Sequence, residues 1–486
     1  APLWTFHTIP EKGEPNADTW ESPEEGANCW GGMALDPQRG IVYISTGSPK
    51  PNFSGNNHLG QNLYSDCVLA VDALTGKYRW HFQELRHDIW DLDIPAPPIL
   101  TSVVREGKRV DVVAQVTKVG NTLVLDRETG KTLYPFRMRR APVSKLPGER
   151  TWPYQPDLEL PQPFARQFFQ LSDITEHTPD AHDAILKRVQ GANFGWYEPF
   201  ELDKPTVLYG FHGGAEWTGA AVDPNEGKLF VSANTIPWIV TVFTPDQIER
   251  DPNLPPTKGE LIFKENCAKC HGENRMGIGM TPPLQGLARR LDDEKIRALL
   301  KTGRGVMPPL PETVDEAGEQ ALLDYLFWRD QPQSDKPAAK QTGPVHYAFN
   351  GYPRLQDPDG LPGCKPPWGT LNCIDLNTGA LSWQVPLGVY PDLADWGEDD
   401  TGAENFGGPS ATSTGLIFCA GAADLKIRAF DAANGKVLWA HDLPFGGYAA
   451  PTIYSAGGKE YVVIAATGGG KLNTEKGDAY VAFALP

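Results

Sequence analysis

The sequence predicts a mainly β chain, folded as a β-propeller, with a small all-α domain inserted into it. Two observations lead to this prediction. One turn motif recurs along the chain, and a single segment around residues 257–330 has apolar residues at helical spacing instead. The 486 residues include 50 Gly and 45 Pro, enough for the many tight turns of such a β fold.

Composition excludes several classes of protein. At 40% hydrophobic and 22% charged residues, the chain can bury a core and is not globally disordered. No apolar run approaches the roughly 18–20 residues that a membrane-spanning helix needs. The net charge of -17 argues against non-specific binding to nucleic acid, which depends on a basic surface.

The repeated motif is an Asp-x-x-(Thr/Asn)-Gly turn, present at 72–76, 126–130, 375–379 and 431–435. Successive copies lie 54 and 56 residues apart within each half, a period typical of propeller blades. The Asp and Gly form a hairpin turn. A Trp follows three of the four copies, at Trp80, Trp383 and Trp439, and we expect its ring to dock on the neighbouring blade. Coincidental turns in an unrelated β protein are the alternative.

Trp4 stands where a docking Trp would follow a turn. We therefore expect the sequence to start inside a blade, with blades on the N-terminal side missing or supplied separately, because open sheet edges are avoided.

The propeller is predicted to be interrupted. We assign residues 1–256 to the first blades, 257–330 to the inserted domain, 331–345 to a linker and 346–486 to the last blades. Helical apolar spacing supports the insertion at 258–263, 292–301 and 315–328. The polar, Pro-containing linker composition suits a return segment.

The inserted segment contains Cys267-x-x-Cys270-His271, the signature of covalent c-type haem attachment. The two thiols add to the haem vinyl groups, and His271 supplies one nitrogen to the iron. Met307, in a Met-Pro-Pro string, is the candidate for the second iron ligand. A Met/His pair raises the haem potential and suits electron transfer.

Met276 and Met280 are rival ligands, closer to the attachment turn. A redox dithiol would need a βαβ setting, and a zinc site would need two further ligands at matching spacing. The order of helix, CxxCH, Gly-rich stretch, Met-Pro and closing aromatic helix resembles a class I cytochrome c. Since haem of this kind is attached outside the cytoplasm, we expect an exported, periplasmic protein.

Several strings resemble the pyrroloquinoline quinone (PQQ)-dependent dehydrogenases, in the branch of the membrane-type quinoprotein glucose dehydrogenases. They are 3–10, 26–30, 87–91 (His-Asp-Ile-Trp-Asp), 118–121 (Lys-Val-Gly-Asn), 366–371, 402–408 and 482–486. The resemblance covers 1 to about 240 and about 346 to 486. It implies an eight-bladed propeller fold, PQQ as cofactor and oxidation of an alcohol group.

The resemblance also implies site residues. Asp88 would take the hydroxyl proton while hydride leaves the carbon for PQQ. Lys118 would hydrogen-bond the quinone oxygens and stabilise developing charge. Trp30 would form the floor under the flat ring. The remaining positions at the quinone edge are Asn234, Asn405 and Phe406. In the alternative view, each of these residues has only a structural role.

Members of the family hold a Ca²⁺ ion against the quinone as a Lewis acid. Their usual Asn ligand is replaced here by Ser48, which makes Ser48 the candidate ligand and departs from the family pattern.

The predicted protein is a quinohaemoprotein dehydrogenase for a sugar, polyol or other alcohol. Electrons would pass from PQQ to haem c and then to a soluble cytochrome or a membrane quinone. The alternatives are a quinoprotein dehydrogenase for simple primary alcohols and a non-catalytic propeller scaffold that carries an electron-transfer cytochrome. The string 468–471 lacks a Trp that would crowd a small-alcohol pocket.

Overall fold

A computed structural model describes residues 2–21, 25–244, 255–273, 275, 277, 281–289, 291–304, 307–330, 345–394, 397 and 400–484. Within these residues five antiparallel sheets follow one another, and we number them blades 1–5. Their strands are Met33–Asp36, Ile41–Ser45, Cys67–Asp72 and Tyr78–Gln83 (blade 1); Ile99–Arg105, Lys108–Val116 and Thr122–Asp126 (blade 2); Ala220–Asp223, Lys228–Asn234, Gly369–Asp375 and Leu381–Pro386 (blade 3); Ser410–Ala411, Leu416–Cys419, Lys426–Asp431 and Val437–Asp442 (blade 4); Thr452–Ala456, Lys459–Ala466 and Ala479–Ala484 (blade 5).

Other sheets accompany the blades. An accessory sheet contains Asn193–Phe194, Pro205–Leu208, Trp238–Phe243 and Ala348–Phe349, and its first pair is parallel. Two ribbons pair Glu25–Gly26 with Pro49–Lys50 and Arg137–Arg140 with Tyr154–Asp157. The α-helices are Pro179–Val189, Lys258–Asn266, Ala268–His271, Asp293–Thr302, Glu316–Leu326 and Pro391–Ala394; the 3₁₀ turns are Ala17–Thr19, Leu171–Asp173, Leu287–Arg289 and Gly470–Leu472. None of the described helices has both the length and the apolar character needed to span a membrane.

The insertion lies inside blade 3. Lys228–Asn234 pairs in antiparallel register with Gly369–Asp375, although more than 130 residues separate the two strands. The chain thus leaves this blade after its second strand and returns for its third. This path explains the wide gap between the second and third copies of the turn motif.

Aromatic docking joins successive blades, as the sequence predicts. Trp80 of blade 1 donates from Nε1 to the Arg127 carbonyl of blade 2 at 3.2 Å, and its ring covers Gly130. Trp383 of blade 3 binds the Ala432 carbonyl in the same way at 3.0 Å. Each covered glycine has a positive φ, and a Cβ there would collide with the ring.

Blade 2 uses a tyrosine for the same purpose. The Tyr134 hydroxyl donates to the Leu376 carbonyl of blade 3 at 2.8 Å, and its ring lies against Gly379. Trp4 docks on the turn of blade 1 through the Ala73 carbonyl at 3.1 Å. The copy without a following Trp is therefore docked as well.

Apolar cores fill each gap between neighbouring blades. Blades 1 and 2 bury Tyr43 against Leu125, and blades 2 and 3 bury Val112 with Leu229. The later interfaces include Phe230 with Phe430 and Ile427 with Ile464. Burial of such side chains stabilises by roughly 1.5–3 kcal/mol each, so the contacts between blades hold the fold together.

The inserted segment has its own core. Phe263, Leu300 and Leu322 are buried together between the helices. Asp292 and Asp315 cap two of these helices by accepting backbone N–H bonds. The helices predicted near 258, 292 and 315 are confirmed. The domain boundaries stay predictions, and 331–344 of the predicted linker lie outside the described residues.

Removing a docked ring should weaken the propeller. For Trp80→Ala we expect unfolding free energy to fall by about 3–5 kcal/mol, since the ring fills the space between two blades. The comparison variant is Trp439→Ala: this residue is 37% exposed, and its ring contacts His441 of its own strand and docks on blade 5 through a single edge-on contact with Phe483. It should cost about 1 kcal/mol or less. Denaturant unfolding followed by circular dichroism measures both; equal losses would contradict the docking account.

Candidate active site

A cavity of about 900 Å³ lies between loops of blades 1, 2 and 5, the accessory sheet and the inserted segment. Its volume suits a ligand of several fused rings together with a small substrate. The residues that line it are Glu25, Asn28, Trp30, Gly47, Ser48, Lys50, Pro51, Asn52, Asp91, Asp93, Lys118, Phe211, His212, Trp217, Gly277, Phe349, Tyr352 and Lys471.

Trp30 presents a partly exposed indole to this cavity. Its Nε1 donates to Asp93 Oδ2 at 2.6 Å, which fixes the ring, and 42% of the residue stays accessible. Lys118 Nζ lies 5.8 Å from the ring centroid. A fixed, accessible aromatic face next to a cation fits a flat quinone with negatively polarised oxygens.

Two carboxylates surround Lys118. Its Nζ lies 2.5 Å from Asp93 Oδ1 and 3.5 Å from Asp91 Oδ2, and it donates to the Asp91 carbonyl at 3.2 Å. Burial opposes the charged form of Lys118, but the two carboxylates outweigh it and raise the pKa of its ammonium group. This cluster keeps a permanent cation in the cavity wall.

Asp91 is ionised in this setting. Burial alone would raise the pKa of its carboxyl, but Lys118 and Lys50 lower it to about 2. Lys50 Nζ lies 3.2 Å from Asp91 Oδ1, and the Asn52 amide donates to the same oxygen at 2.9 Å.

The structure does not bring Asp88 to the cavity. Asp88 is fully buried, and its oxygens accept bonds from Ser48 Oγ at 2.6 Å and from the backbone N–H groups of Trp90 and Leu92 at 2.7 and 2.8 Å. The reason is local: His87 (φ 53°) and Asp91 (φ 60°) adopt left-handed backbone conformations that redirect the chain. The carboxylates that line the cavity beside Lys118 are instead Asp91 and Asp93.

The described residues do not assemble a calcium site around Ser48. Its hydroxyl is engaged by Asp88, while Asp91 and Asp93 are paired with Lys118. No group of three or more His, Cys, Asp or Glu side chains within the described ranges is arranged to hold a metal. Calcium, which takes six to eight oxygen ligands, does not fit this set as it stands.

Asn234, Asn405 and Phe406 lie behind the cavity wall. The Asn234 amide donates to the Asn405 carbonyl at 2.7 Å, and the Asn405 N–H donates to Asn234 Oδ1 at 2.8 Å, so blade 3 is tied to a loop before blade 4. Phe406 stacks on Trp217 with centroids 5.4 Å apart. None of these three side chains lines the cavity, and Phe406 is the one that packs on a lining residue, Trp217.

Sequence reasoning missed the wall formed by His212, Trp217 and Lys471. These residues come from remote parts of the chain and carry no motif. The one local signal is the run of three glycines before Lys471, which permits a tight loop beside the cavity.

The haem-attachment residues form one helical turn. The N–H groups of Cys270 and His271 donate to the Cys267 carbonyl at 3.1 and 3.0 Å. His271 Nδ1 donates to the Pro282 carbonyl at 3.0 Å, which selects the tautomer whose Nε2 can bind iron. Cys270 is exposed and Cys267 is half-buried, so both thiols suit attachment of a haem.

Met307 packs against the same apolar cluster as Cys267. This placement is compatible with a haem between His271 and Met307. The rival ligands Met276 and Met280 lie outside the described residues.

The haem-attachment segment also touches the cavity. Gly277 contributes to the cavity lining. Pro282 lies so close to Gly351 that a Cβ built there would be 3.3 Å from Pro282 Cβ, and Gly351 stands between the lining residues Phe349 and Tyr352. Pro282, which accepts the hydrogen bond of His271, therefore lies beside the segment that contributes Phe349 and Tyr352 to the cavity.

Comparison with known proteins agrees with this geometry. The family described as "Glucose/ethanol/alcohol dehydrogenase, beta-propeller domain", of the PQQ type, matches residues 1–274 and 319–462. The family described as "Cytochrome C oxidase, cbb3-type, subunit III" matches residues 255–326, over the predicted inserted domain.

Similar curated proteins include the quinoprotein glucose dehydrogenase of Escherichia coli, 29% identical over 100% of this chain and 52% of the relative. The quinate/shikimate dehydrogenase (quinone) of Acinetobacter baylyi is 29% identical over 94% of this chain and 49% of the relative. The chain thus spans about half the length of these relatives. Among solved structures, the quinohemoprotein alcohol dehydrogenase from Comamonas testosteroni has the same fold, with a TM-score of 0.51 at 19% identity over 94% of this chain and 48% of that one.

The Lys118 cluster predicts that the free energy of unfolding depends on the charge balance between Lys118 and its two carboxylate partners. Lys118→Met removes the cation and leaves the buried Asp93 carboxylate without its ion pair, while Asp91 keeps Lys50, and the loss should cost about 3–5 kcal/mol of unfolding free energy. Adding Asp93→Asn should recover part of that loss. Denaturant unfolding of the parent and the two variants provides the test. A Lys118→Met variant as stable as the parent would show that the Lys118 ion pairs do not stabilise the fold.

Proposed function

The chain belongs to the family of PQQ-dependent dehydrogenases with a β-propeller domain, and on that premise we propose that it oxidises an alcohol group of a sugar or polyol and passes the electrons to a haem c in the same chain. The observation that carries the proposal is the shared wall: the cavity that contains Trp30, Asp91 and Lys118 is also lined by Gly277 of the haem-attachment segment. When bound, PQQ supplies a carbonyl carbon that accepts hydride, and haem c supplies a one-electron carrier.

Asp91 is the proposed general base. It lines the cavity and is ionised at neutral pH, so its oxygens are available to a hydroxyl proton, although a pKa of about 2 makes it a weak base while Lys118 and Lys50 stay paired with it. Lys50 and Lys118 hold the carboxylate in place. Asp88 is a weaker candidate, because it is fully buried and is not among the residues that line the cavity.

Trp30 and Lys118 are the proposed binding residues for the quinone. The indole offers a flat face, and the neighbouring ammonium group can donate to a quinone oxygen and stabilise negative charge there. Both side chains are held before a ligand arrives, by the bond from Trp30 to Asp93 and by the Lys118 ion pairs. Such preorganisation reduces the cost of ordering them on binding.

The proposed route for electrons leaves the cavity beside Tyr352. From there the path crosses the contact of Gly351 with Pro282, whose carbonyl is hydrogen-bonded to His271. An intramolecular route needs no encounter between two proteins for this step. The onward acceptor is proposed to be a soluble cytochrome or a membrane quinone.

The substrate class rests on the relatives. Their names specify glucose, quinate or shikimate, and glycerol, all polyhydroxylated compounds. A dehydrogenase for simple primary alcohols is the second candidate, and the named relatives of that kind match only at lower identity or over a shorter stretch. A scaffold without catalysis would not need the fixed charges of the cavity. Because haem c is attached outside the cytoplasm, we place the protein in the periplasm.

Changing Asp91 should abolish turnover while PQQ still binds. For Asp91→Asn we expect alcohol-dependent haem reduction to fall by roughly 10²–10⁴-fold, the usual contribution of a general base. Asp88→Asn is the matched control, with the same change three residues away, and its loss per folded molecule should be at least about tenfold smaller. Stopped-flow absorbance at the haem band measures both rates; a loss in Asp88→Asn as large as that in Asp91→Asn would return the role to Asp88.

Met307 should set the haem potential. Replacing the thioether by imidazole in Met307→His should lower the midpoint potential, because Met/His ligation raises it. Leu310→Met, a conservative change in the same apolar cluster, is the control and should leave the potential near that of the parent. Spectroelectrochemical titration gives the values, and an unchanged potential in Met307→His would exclude Met307 as a ligand.

A further inference from the structure

A second polar cluster lies at the cavity wall formed by the loops before blades 3 and 4 and by the loop between the last two strands of blade 5. His212 Nδ1 lies 3.1 Å from Glu404 Oε1, and Lys471 Nζ lies 3.0 Å from His212 Nε2. Arg354 also binds Glu404, at 2.9 Å. His212 and Lys471 line the cavity, whereas Glu404 is buried behind them. This chain of contacts plays no part in the proposed proton transfer.

The hydrogen bonds in this cluster have one direction. Glu404, as a carboxylate, can only accept, so His212 donates from Nδ1 and Lys471 donates to Nε2. Burial, more than the opposing Glu404 contact, lowers the pKa of His212 to about 4, so the imidazole is neutral at neutral pH. Glu404 and His212 therefore hold the Lys471 ammonium group without neutralising it.

Lys471 differs from the other cations of the cavity. Lys50 and Lys118 both form ion pairs with Asp91, but within the described part of the chain no carboxylate lies within 4.0 Å of Lys471 Nζ. Glu216 is near enough to influence it, but burial raises the pKa of Glu216 to about 8, so this side chain is mostly protonated at neutral pH. Of the three lining lysines, Lys471 is the one that has no described carboxylate in direct contact. Burial lowers the pKa of its ammonium group, and the more distant Glu216, Asp91 and Glu404 oppose that effect.

The surroundings suit an anion that carries an apolar body. Lys471 Nζ lies 5.5 Å from the Trp217 ring centroid and 5.9 Å from that of Phe406, and these two rings stack on each other. Aromatic faces support the cation and offer an apolar wall beside it. An ammonium group has three donors, and a neutral imidazole takes one of them.

We propose that Lys471, positioned by His212 and Glu404, is a binding site for a carboxylate group inside the cavity. The inference rests on the proposed function for the identity of the molecules that enter. Two of them can carry the carboxylate: PQQ itself, which is a carboxylic acid, or a hydroxy acid substrate such as quinate. In either case the carboxylate would pair with Lys471, at the wall that holds Trp217, while Asp91 and Lys118 remain free for the alcohol and the quinone oxygens.

The test is equilibrium binding to the full chain, with and without PQQ. Lys471→Met removes the charge, Lys471→Arg keeps it, and Lys476→Met is the matched control at an exposed lysine of the same hairpin. Circular dichroism and haem content verify that each variant is folded. Quenching of tryptophan fluorescence gives the affinity for PQQ, and calorimetry on the PQQ-free protein gives the affinities for quinate and for neutral glycerol.

If PQQ supplies the carboxylate, Lys471→Met should weaken PQQ binding by roughly ten- to a hundredfold, as expected for losing a hydrogen bond to a charged group, and leave quinate unaffected. If the substrate supplies it, quinate binding should weaken by a similar factor while PQQ and glycerol binding stay unchanged. Lys471→Arg should restore most of the affinity in either case.

Unchanged affinities for both carboxylates, or equal losses in Lys476→Met, would overturn the proposal. These binding results do not depend on whether the proposed function is correct, since none of the measurements requires turnover. A parent protein that binds PQQ but never reduces its haem with any alcohol would refute the function while the carboxylate site could still be measured.

Discussion

The architecture depends on one repeated contact, an aromatic ring that covers the left-handed glycine of the next blade's turn. At Gly130, for example, the indole of Trp80 occupies the space in which any Cβ would lie, so ring and glycine require each other. The same arrangement recurs with Trp383 at Gly435 and with Tyr134 at Gly379. Because each ring belongs to one blade and each glycine to the next, the contact fixes the order of the blades and brings loops remote in sequence to one cavity.

Charge is distributed unevenly around that cavity. On one side Lys118 and Lys50 are paired with Asp91 and Asp93, a balanced set in which opposite charges stabilise one another. On the other side Lys471 contacts a neutral imidazole and two aromatic rings. A balanced side suits chemistry in which a proton and a hydride leave the substrate, and a cation with no described carboxylate in direct contact suits recognition of an anion. The two sides of the cavity therefore differ in their chemistry because different charged residues neutralise one another there.

Local patterns in the sequence predicted the blades, their turns and the haem-attachment helix, because those features depend on neighbouring residues. The Asp-x-x-(Thr/Asn)-Gly turn and the CxxCH string each carry their own geometry. Which of Asp88 and Asp91 lines the cavity depends instead on the left-handed backbone conformations of His87 and Asp91. The residue types at these two positions do not predict such conformations. The contact between Lys471 and His212 could not be predicted from local patterns, since the two residues lie 259 positions apart in the sequence. The docking role of Tyr134 was not predicted, because a tyrosine stands there in place of the expected Trp.

The insertion within blade 3 brings the haem-attachment segment next to the cavity. It places Pro282, the hydrogen-bond partner of His271, against Gly351, beside the cavity-lining residues Phe349 and Tyr352. In the proposed function, the cavity and the haem act as one internal redox unit. The most direct measurement mixes the PQQ-loaded protein anaerobically with an alcohol substrate and follows haem reduction over a wide range of protein concentrations. A first-order rate that does not change with protein concentration is the predicted result, and a rate that rises in proportion to it would show transfer between molecules and contradict the claim.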